Sequence, residues 1–256
     1  MTPACLVDLG REERRGYVLG ARLPTDDPAF SPYLDLGFNR LKAGWQDEVA
    51  HFHTHSDEIF VVVKGEIELL IRGVPVTVAA GQLLGIRAGV AHRVVRVRAP
   101  VENYLIRAPG GGADKIELTG STQAPADAQS KGMNGVIRVD LRQHFSDYPL
   151  GACLPVNHPN YSPFLDFTGV WRADPVAEWK HDVRHWHKTR EEYFIVLQGR
   201  LDIEVDGSRR SVQAGQILGL RPPAVHKVIG GRGPVSVLFV RVPGGRGDKV
   251  VVEDKQ

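Results

Sequence analysis

Short runs of β-branched and aliphatic residues, broken every few positions by Gly or Pro, set the pattern of this chain. In the first half they fall at 59–63, 66–72, 74–79, 93–97 and 104–107, and the second half carries counterparts. Runs of this length, closely spaced and bounded by turn residues, predict antiparallel strands in an all-β sandwich or barrel. An α/β domain would need crossover helices between its strands, and no helix-length amphipathic segment is evident to supply them.

The pattern also repeats. Trp45, His51, His53, Glu58, Phe60, Val62 and Gly65 recur as Trp179, His185, His187, Glu192, Phe194, Val196 and Gly199, every pair separated by 134 positions. Gly81-Gln82-Leu83-Leu84-Gly85-Ile86-Arg87 recurs as Gly215-Gln216-Ile217-Leu218-Gly219-Leu220-Arg221 in the same register, and so do His92 and His226. Pro109-Gly110-Gly111 with Asp114-Lys115 returns as Pro243-Gly244-Gly245 with Asp248-Lys249; these segments read as turn chemistry. Nearer the start of each half the offset falls to 131 or 132, as for Asp35 and Asp166, so loop lengths differ there. A period this long can enclose its own core, which implies tandem duplication of one domain. Residues 119–135 are rich in Ser, Gln, Ala and Asp without apolar periodicity, so the expected division is a first domain at 1–118, a linker at 119–135 and a second domain at 136–256.

Composition narrows the function classes. The chain has 256 residues, 42% hydrophobic and 24% charged, the balance of an ordinary globular protein. Lys+Arg 32 against Asp+Glu 30 leaves +2, too little for the phosphate-neutralising field of a nucleic-acid binder. No apolar run approaches the ~20 residues of a membrane helix. Two cysteines, Cys5 and Cys153, and no secretory pattern at the N-terminus give the expectation of a reduced, cytoplasmic protein.

The chemistry lies in the repeated polar residues. His51 and His53 stand two apart, so on a strand both rings share a face; His185 and His187 do the same. After each pair a polar turn leads into an apolar strand headed by Glu58 or Glu192, a hairpin that can fold the carboxylate over the imidazoles. His92 or His226 follows after a Gly-rich bend. Three imidazoles and one carboxylate form a donor set suited to Fe, Mn, Ni, Cu or Zn. Histidines used only for packing or surface polarity would not demand eight groups at one spacing. His55 could form a rival His-x-His pair with His53, but its counterpart at 189 is Thr, which makes it a turn residue.

These residues resemble the cupin superfamily. Its first motif runs Gly, His-x-His, three or four residues, Glu, six residues, Gly; its second runs Gly, five residues, Pro-x-Gly, two residues, His. Gly44 with His51-x-His53-x4-Glu58-x6-Gly65 matches the first with a longer opening gap, and His185-x-His187-x4-Glu192-x6-Gly199 matches with Glu178 in place of the opening Gly. Gly81 to His92 and Gly215 to His226 match the second, except that Arg87 and Arg221 replace its proline. The resemblance implies a bicupin: two tandem jelly-roll barrels, each holding one divalent transition metal, Fe before Mn, Ni, Cu or Zn.

Strand parity places Phe60, Val62, Phe194 and Val196 on the barrel interior beside the glutamates, with Trp45 and Trp179 reaching in from the preceding strands. Such walls suit a small organic substrate with a metal-binding head group. Position 47 breaks the symmetry, Asp47 against His181, which makes His181 a candidate acid or base near neutral pH. Arg87 and Arg221, in the bend before the last ligand, are candidates to hold a substrate carboxylate or phenolate. The expected activity is that of a non-haem dioxygenase on a small phenolic or acidic molecule, with Glu58 or Glu192 bound to metal or taking a proton. A lyase, decarboxylase, isomerase or cyclase on the same ligands is the rival, and a non-catalytic binding module the third reading. Either a monomer or a homodimer through edge strands is compatible with the pattern.

Overall fold

The computed structural model describes residues 3–10, 16–42, 45, 48–119, 133–143, 148–171 and 182–253. Among them there is no helix, and the strands form two nine-stranded antiparallel sheets, the all-β tandem jelly rolls that the repeat predicts.

In the first sheet the order is Val136–Asp140, Gln82–Ile86, Asp57–Ile71, His92–Ala108, Asp35–Leu41 and Tyr17–Gly20. Val74–Ala79 pairs with Asp57–Ile71, while His51–His53 bridges His92–Ala108 and Lys115–Glu117. The second sheet repeats this with Ala4–Asp8, Gln216–Leu220, Glu191–Val205, His226–Val242, Asp166–Trp171 and Leu150–Gly151. The compact units therefore do not follow the chain linearly. The first ten or so residues belong with Leu141–Gln256, and Val136–Asp140 belongs with the first half's strands. The two short strands read alike in sequence, Leu6-Val7-Asp8 against Arg138-Val139-Asp140, and each covers the edge of a sheet from the other copy, at Gln216–Leu220 and at Gln82–Ile86. Most of 119–135 lies outside the described residues.

Asp57–Ile71 and His92–Ala108 are too long to run straight. Their pairing shifts register on both sides of Lys64, next to Gly65, which has φ 73°. A Cβ there would sit 2.5 Å from the Pro100 carbonyl oxygen. Only glycine lets the strand bend so tightly against its neighbour, which explains the fixed six-residue gap from Glu58. Gly199, at φ 73°, repeats the device in the second half.

The alternating inward residues fill each barrel. Phe60, Val62, Ile67, Leu69, Leu84 and Ile86 make one core and Phe194, Val196, Leu201, Ile203, Leu218 and Leu220 the other. Each such side chain is worth about 1.5–3 kcal/mol when fully buried.

Candidate metal centres

His51 and His92 are direct cross-strand neighbours, and so are His185 and His226. Glu58, on the strand that pairs with both Gln82–Ile86 and His92–Ala108, turns its carboxylate toward them. His92 Nε2 lies 2.7 Å from Glu58 Oε2, His53 Nε2 3.4 Å from Oε1 and His51 Nε2 3.9 Å from Oε2. The second cluster copies this, with His226 Nε2 2.9 Å and His187 Nε2 3.4 Å from Glu192 Oε2. In each group of four the ligand atoms lie within 4.8 Å of one another, and all eight residues are buried.

The far nitrogens are all engaged. Nδ1 of His51 donates to the Val49 carbonyl at 2.9 Å, His92 to Val90 at 2.8 Å, His185 to Val183 at 2.7 Å and His226 to Ala224 at 3.0 Å. A carbonyl only accepts, so Nδ1 carries a proton and Nε2 is the nitrogen turned to the cluster centre, able to ligate a metal once any proton it shares with the glutamate leaves. His53 and His187 use a carboxylate instead, Asp114 at 3.2 Å and Asp248 at 3.0 Å. Nε2 of His53 and of His187 is buried without a hydrogen-bond partner among the described residues. Three inward Nε2 atoms in each cluster, one of them without a partner, beside one carboxylate fit a divalent transition metal. Burial opposes ionisation of Glu58 and Glu192, but hydrogen bonds from the surrounding histidines outweigh it and hold both well below the usual carboxylate range. They are anionic donors at neutral pH.

Asp114 and Asp248 went unrecognised in the sequence although they repeat at the common offset; the glycines beside them drew the segment into a turn reading. Asp114 Oδ2 also accepts from the Ser56 amide at 2.9 Å and hydroxyl at 2.5 Å, and Asp248 Oδ1 from the Thr189 amide and hydroxyl, each at 3.0 Å. Burial would raise the pKa of Asp114, yet the bonds from Ser56 and His53 draw it down to about 2. A carboxylate locked behind a ligand imidazole fixes its tautomer and orientation. Asp248→Ala will weaken metal binding to the second site by about 10–100-fold, measured by competition with a chromogenic chelator, and unchanged affinity would show that His187 needs no such support.

Each centre opens on a cavity. The first, about 230 Å³, is lined by Glu58 with Phe60, Trp45, Ile67, Leu105 and the amides of Asn39 and Asn103. The second, about 300 Å³, is lined by His185 and Glu192 with Phe194, Phe239, Val170, Thr168, Tyr148, Arg241 and Lys249. Phe60, Phe194 and Trp45 thus stand where parity puts them. Val62 and Val196 are fully buried in the packed floors. Trp179, His181 and Asp47 lie outside the described residues. His55 is an exposed turn residue bonded to the Thr54 hydroxyl at 2.6 Å. Arg221 does not line either cavity. It donates to the Pro28 carbonyl at 2.9 Å and faces Glu191 at 3.4 Å, so it anchors loop to strand. Arg87 does not line either cavity, and its amide bonds the Gly135 carbonyl at 2.9 Å. The cavity cations are Arg241 and Lys249, which the sequence did not single out.

Two antiparallel barrels, each with three imidazoles and a carboxylate at its mouth, define a tandem metal-binding jelly-roll protein. The chain belongs to the cupin family: residues 37–102 and 176–241 each match the Cupin domain, which makes it a bicupin with one metal site per domain. No curated protein matches it. Among solved structures it is similar to oxalate decarboxylase from Bacillus subtilis, at 16% identity and TM-score 0.54 over 96% of this chain and 78% of that one. It is also similar to a salicylate 1,2-dioxygenase from Pseudaminobacter salicylatoxidans, at 15% identity and TM-score 0.55 over 83% and 71%. At such identities the likeness is one of fold. No helix among the described residues is long and apolar enough to cross a membrane.

Proposed function

We propose that this bicupin is a metal-dependent enzyme, a non-haem dioxygenase acting on a small phenolic or acidic molecule. The observation that carries the reading is the pairing of four converging donors with a cavity: His185 and Glu192 themselves line the second one. The three imidazoles and the carboxylate of each centre would hold the metal, and the bound ion would supply Lewis acidity and redox chemistry to a substrate in the cavity. The chain's own part is positioning. Phe194 and Phe239 meet edge to face at 5.3 Å, a wall that grips a flat or alkyl body and excludes water. Glu192 is the group placed to accept a proton from a substrate held at the metal.

A decarboxylase is the second reading. The same donor set serves it, and the oxalate decarboxylase of like fold is described with Mn(II) centres, so manganese stands beside iron as the metal. Elemental analysis of chain reconstituted with Fe and with Mn is expected to give about two ions per chain, one for each cluster of four donors. Turnover of phenolic and acidic substrates is then followed by oxygen uptake and by carbon dioxide release. Product formed only with dioxygen consumed supports the oxygenase. Anaerobic carbon dioxide release replaces it with the decarboxylase, and absence of metal from both sites ends both readings.

A further inference from the structure

The two halves repeat their metal ligands but not the cavity walls beside them, and the two equivalent arginines, Arg107 and Arg241, are held differently. In the first half Arg107 is only 3% exposed, and its Nη2 donates to the Gly112 carbonyl at 3.1 Å and to Asp114 Oδ1 at 3.0 Å, with Asp35 3.9 Å away. In the second half the matching acceptors are the Arg246 carbonyl, Asp248 and Asp166, and another arginine has taken them. Arg190 stands where the first half has Ser56. Its Nη2 donates to the Arg246 carbonyl at 3.0 Å, its Nη1 lies 3.4 Å from Asp166 and its Nε 3.9 Å from Asp248.

Arg241, the counterpart of Arg107, is displaced from that nest and lines the cavity instead. One long contact, Nη2 to Asp166 at 3.4 Å, and stacking over the Tyr148 ring at 4.5 Å hold it there. Its Nε is buried with no hydrogen-bond partner among the described residues. Lys249 adds a second cation at the rim, 3.8 Å from the Asp182 carboxylate that also lines the space. The first cavity has no cation among its described lining residues. It presents Asn39 and Asn103 where the second half has Val170 and Val237, and Asn103 Oδ1 is buried without a partner.

We propose that the two sites are divided by charge: the second cavity is a carboxylate site, in which Arg241 binds the acid group of an aromatic or alkyl acid beside the metal, and the first cavity admits neutral ligands only. Arg190 is the positioning residue that releases Arg241 for this task. A guanidinium that lines a cavity with aromatic and aliphatic walls, held by only one long contact of its own, favours a planar carboxylate strongly, because the pairing is charge-assisted and partly shielded from water. The assignment rests on the enzyme reading for its metabolic meaning, but the carboxylate site can be tested without turnover.

Calorimetry on the full-length chain, metal-loaded and metal-free, with benzoate and succinate as probes and benzamide as the neutral counterpart of benzoate, decides it. At least one of the acids is expected to bind at one per chain. Arg241→Gln is expected to weaken that acid by about tenfold to a hundredfold while moving benzamide less than about threefold. Arg190→Ser, which changes no cavity residue but returns the acceptors to Arg241, is expected to weaken the acid in the same direction, and Arg241→Lys to restore part of the affinity. Failure of both acids to bind, acid affinity unchanged in Arg241→Gln, or equal losses for acid and benzamide would each overturn the proposal. Arg241-dependent binding in the metal-free chain would uphold the carboxylate site even where the metal content or turnover had refuted the enzyme reading.

Discussion

Replacing His185 by alanine is expected to remove one of the two metal ions from each chain and to lower turnover of an acidic substrate by roughly a thousandfold, the scale of losing several kcal/mol of Lewis-acid stabilisation. The expectation follows from how little freedom the cluster has. His185 faces His226 across the strand pair, their rings 4.2 Å apart, and its Nδ1 is tied to the Val183 carbonyl, so the ring is fixed in the cluster. His51→Ala is expected to remove the other ion, since the first cluster is built alike, yet to cost turnover of an acid far less, because the cavity it serves has no cation among its described lining residues. Elemental analysis and kcat on the same preparations check both parts. Loss of both ions in either single variant would mean that the sites do not load independently, and equal kinetic damage from the two would argue against a division of labour.

The clusters were legible because their spacing is set by local geometry. Two residues along a strand, a hairpin turn and a glycine-permitted bend are all short-range features, and the repeat marks which histidines matter: Thr189 in place of His55 is enough to choose the pair. The all-β class followed from the same short-range pattern. What depends on distant pairing was not legible. Nothing in Ala4–Asp8 says that it pairs with Gln216–Leu220, more than two hundred residues away, and not with a strand of its own half. Arg221 shows the same limit, since its partner Pro28 lies 193 positions away along the chain. Arg107 and Arg241 are the sharpest case. They are the same residue at the same repeat position, and on our proposal it is Arg190, standing where the first half has Ser56, that takes the shared acceptors from Arg241 and leaves it to the cavity while Arg107 keeps its buried nest.

Acid and base are both expected to destabilise the metal-free chain, and metal loading is expected to remove the alkaline part of that loss. Burial depresses His51, but the hydrogen bonds and charges of Glu58, Val49 and Glu48 outweigh it and leave its pKa above the ordinary 6.5. Burial likewise opposes, and Glu192 overcomes, in His226, which also ends above 6.5. Its geometry agrees, with Nδ1 facing the Ala224 carbonyl and Nε2 the Glu192 carboxylate, two acceptors for two N–H groups. A group raised on folding contributes stability that is complete below 6.5 and disappears as pH climbs through its folded value. His185 runs the other way: burial and the charge of His226 push it down to about 4, so its contribution is complete above 6.5 and disappears as pH falls toward 4. The metal-free chain should therefore melt lower at pH 8.5 than at pH 6.5, and also lower near pH 5 than at pH 6.5. A metal ion takes the place of the proton held between imidazole and carboxylate, so loading should abolish the alkaline loss and, at pH 6.5, release about one proton per site. Scanning calorimetry with and without metal, and loading heats compared in buffers of different ionisation enthalpy, measure the two effects. A metal-free chain as stable at pH 8.5 as at 6.5, with no proton released on loading, would mean that the clusters wait for metal with their histidines already neutral.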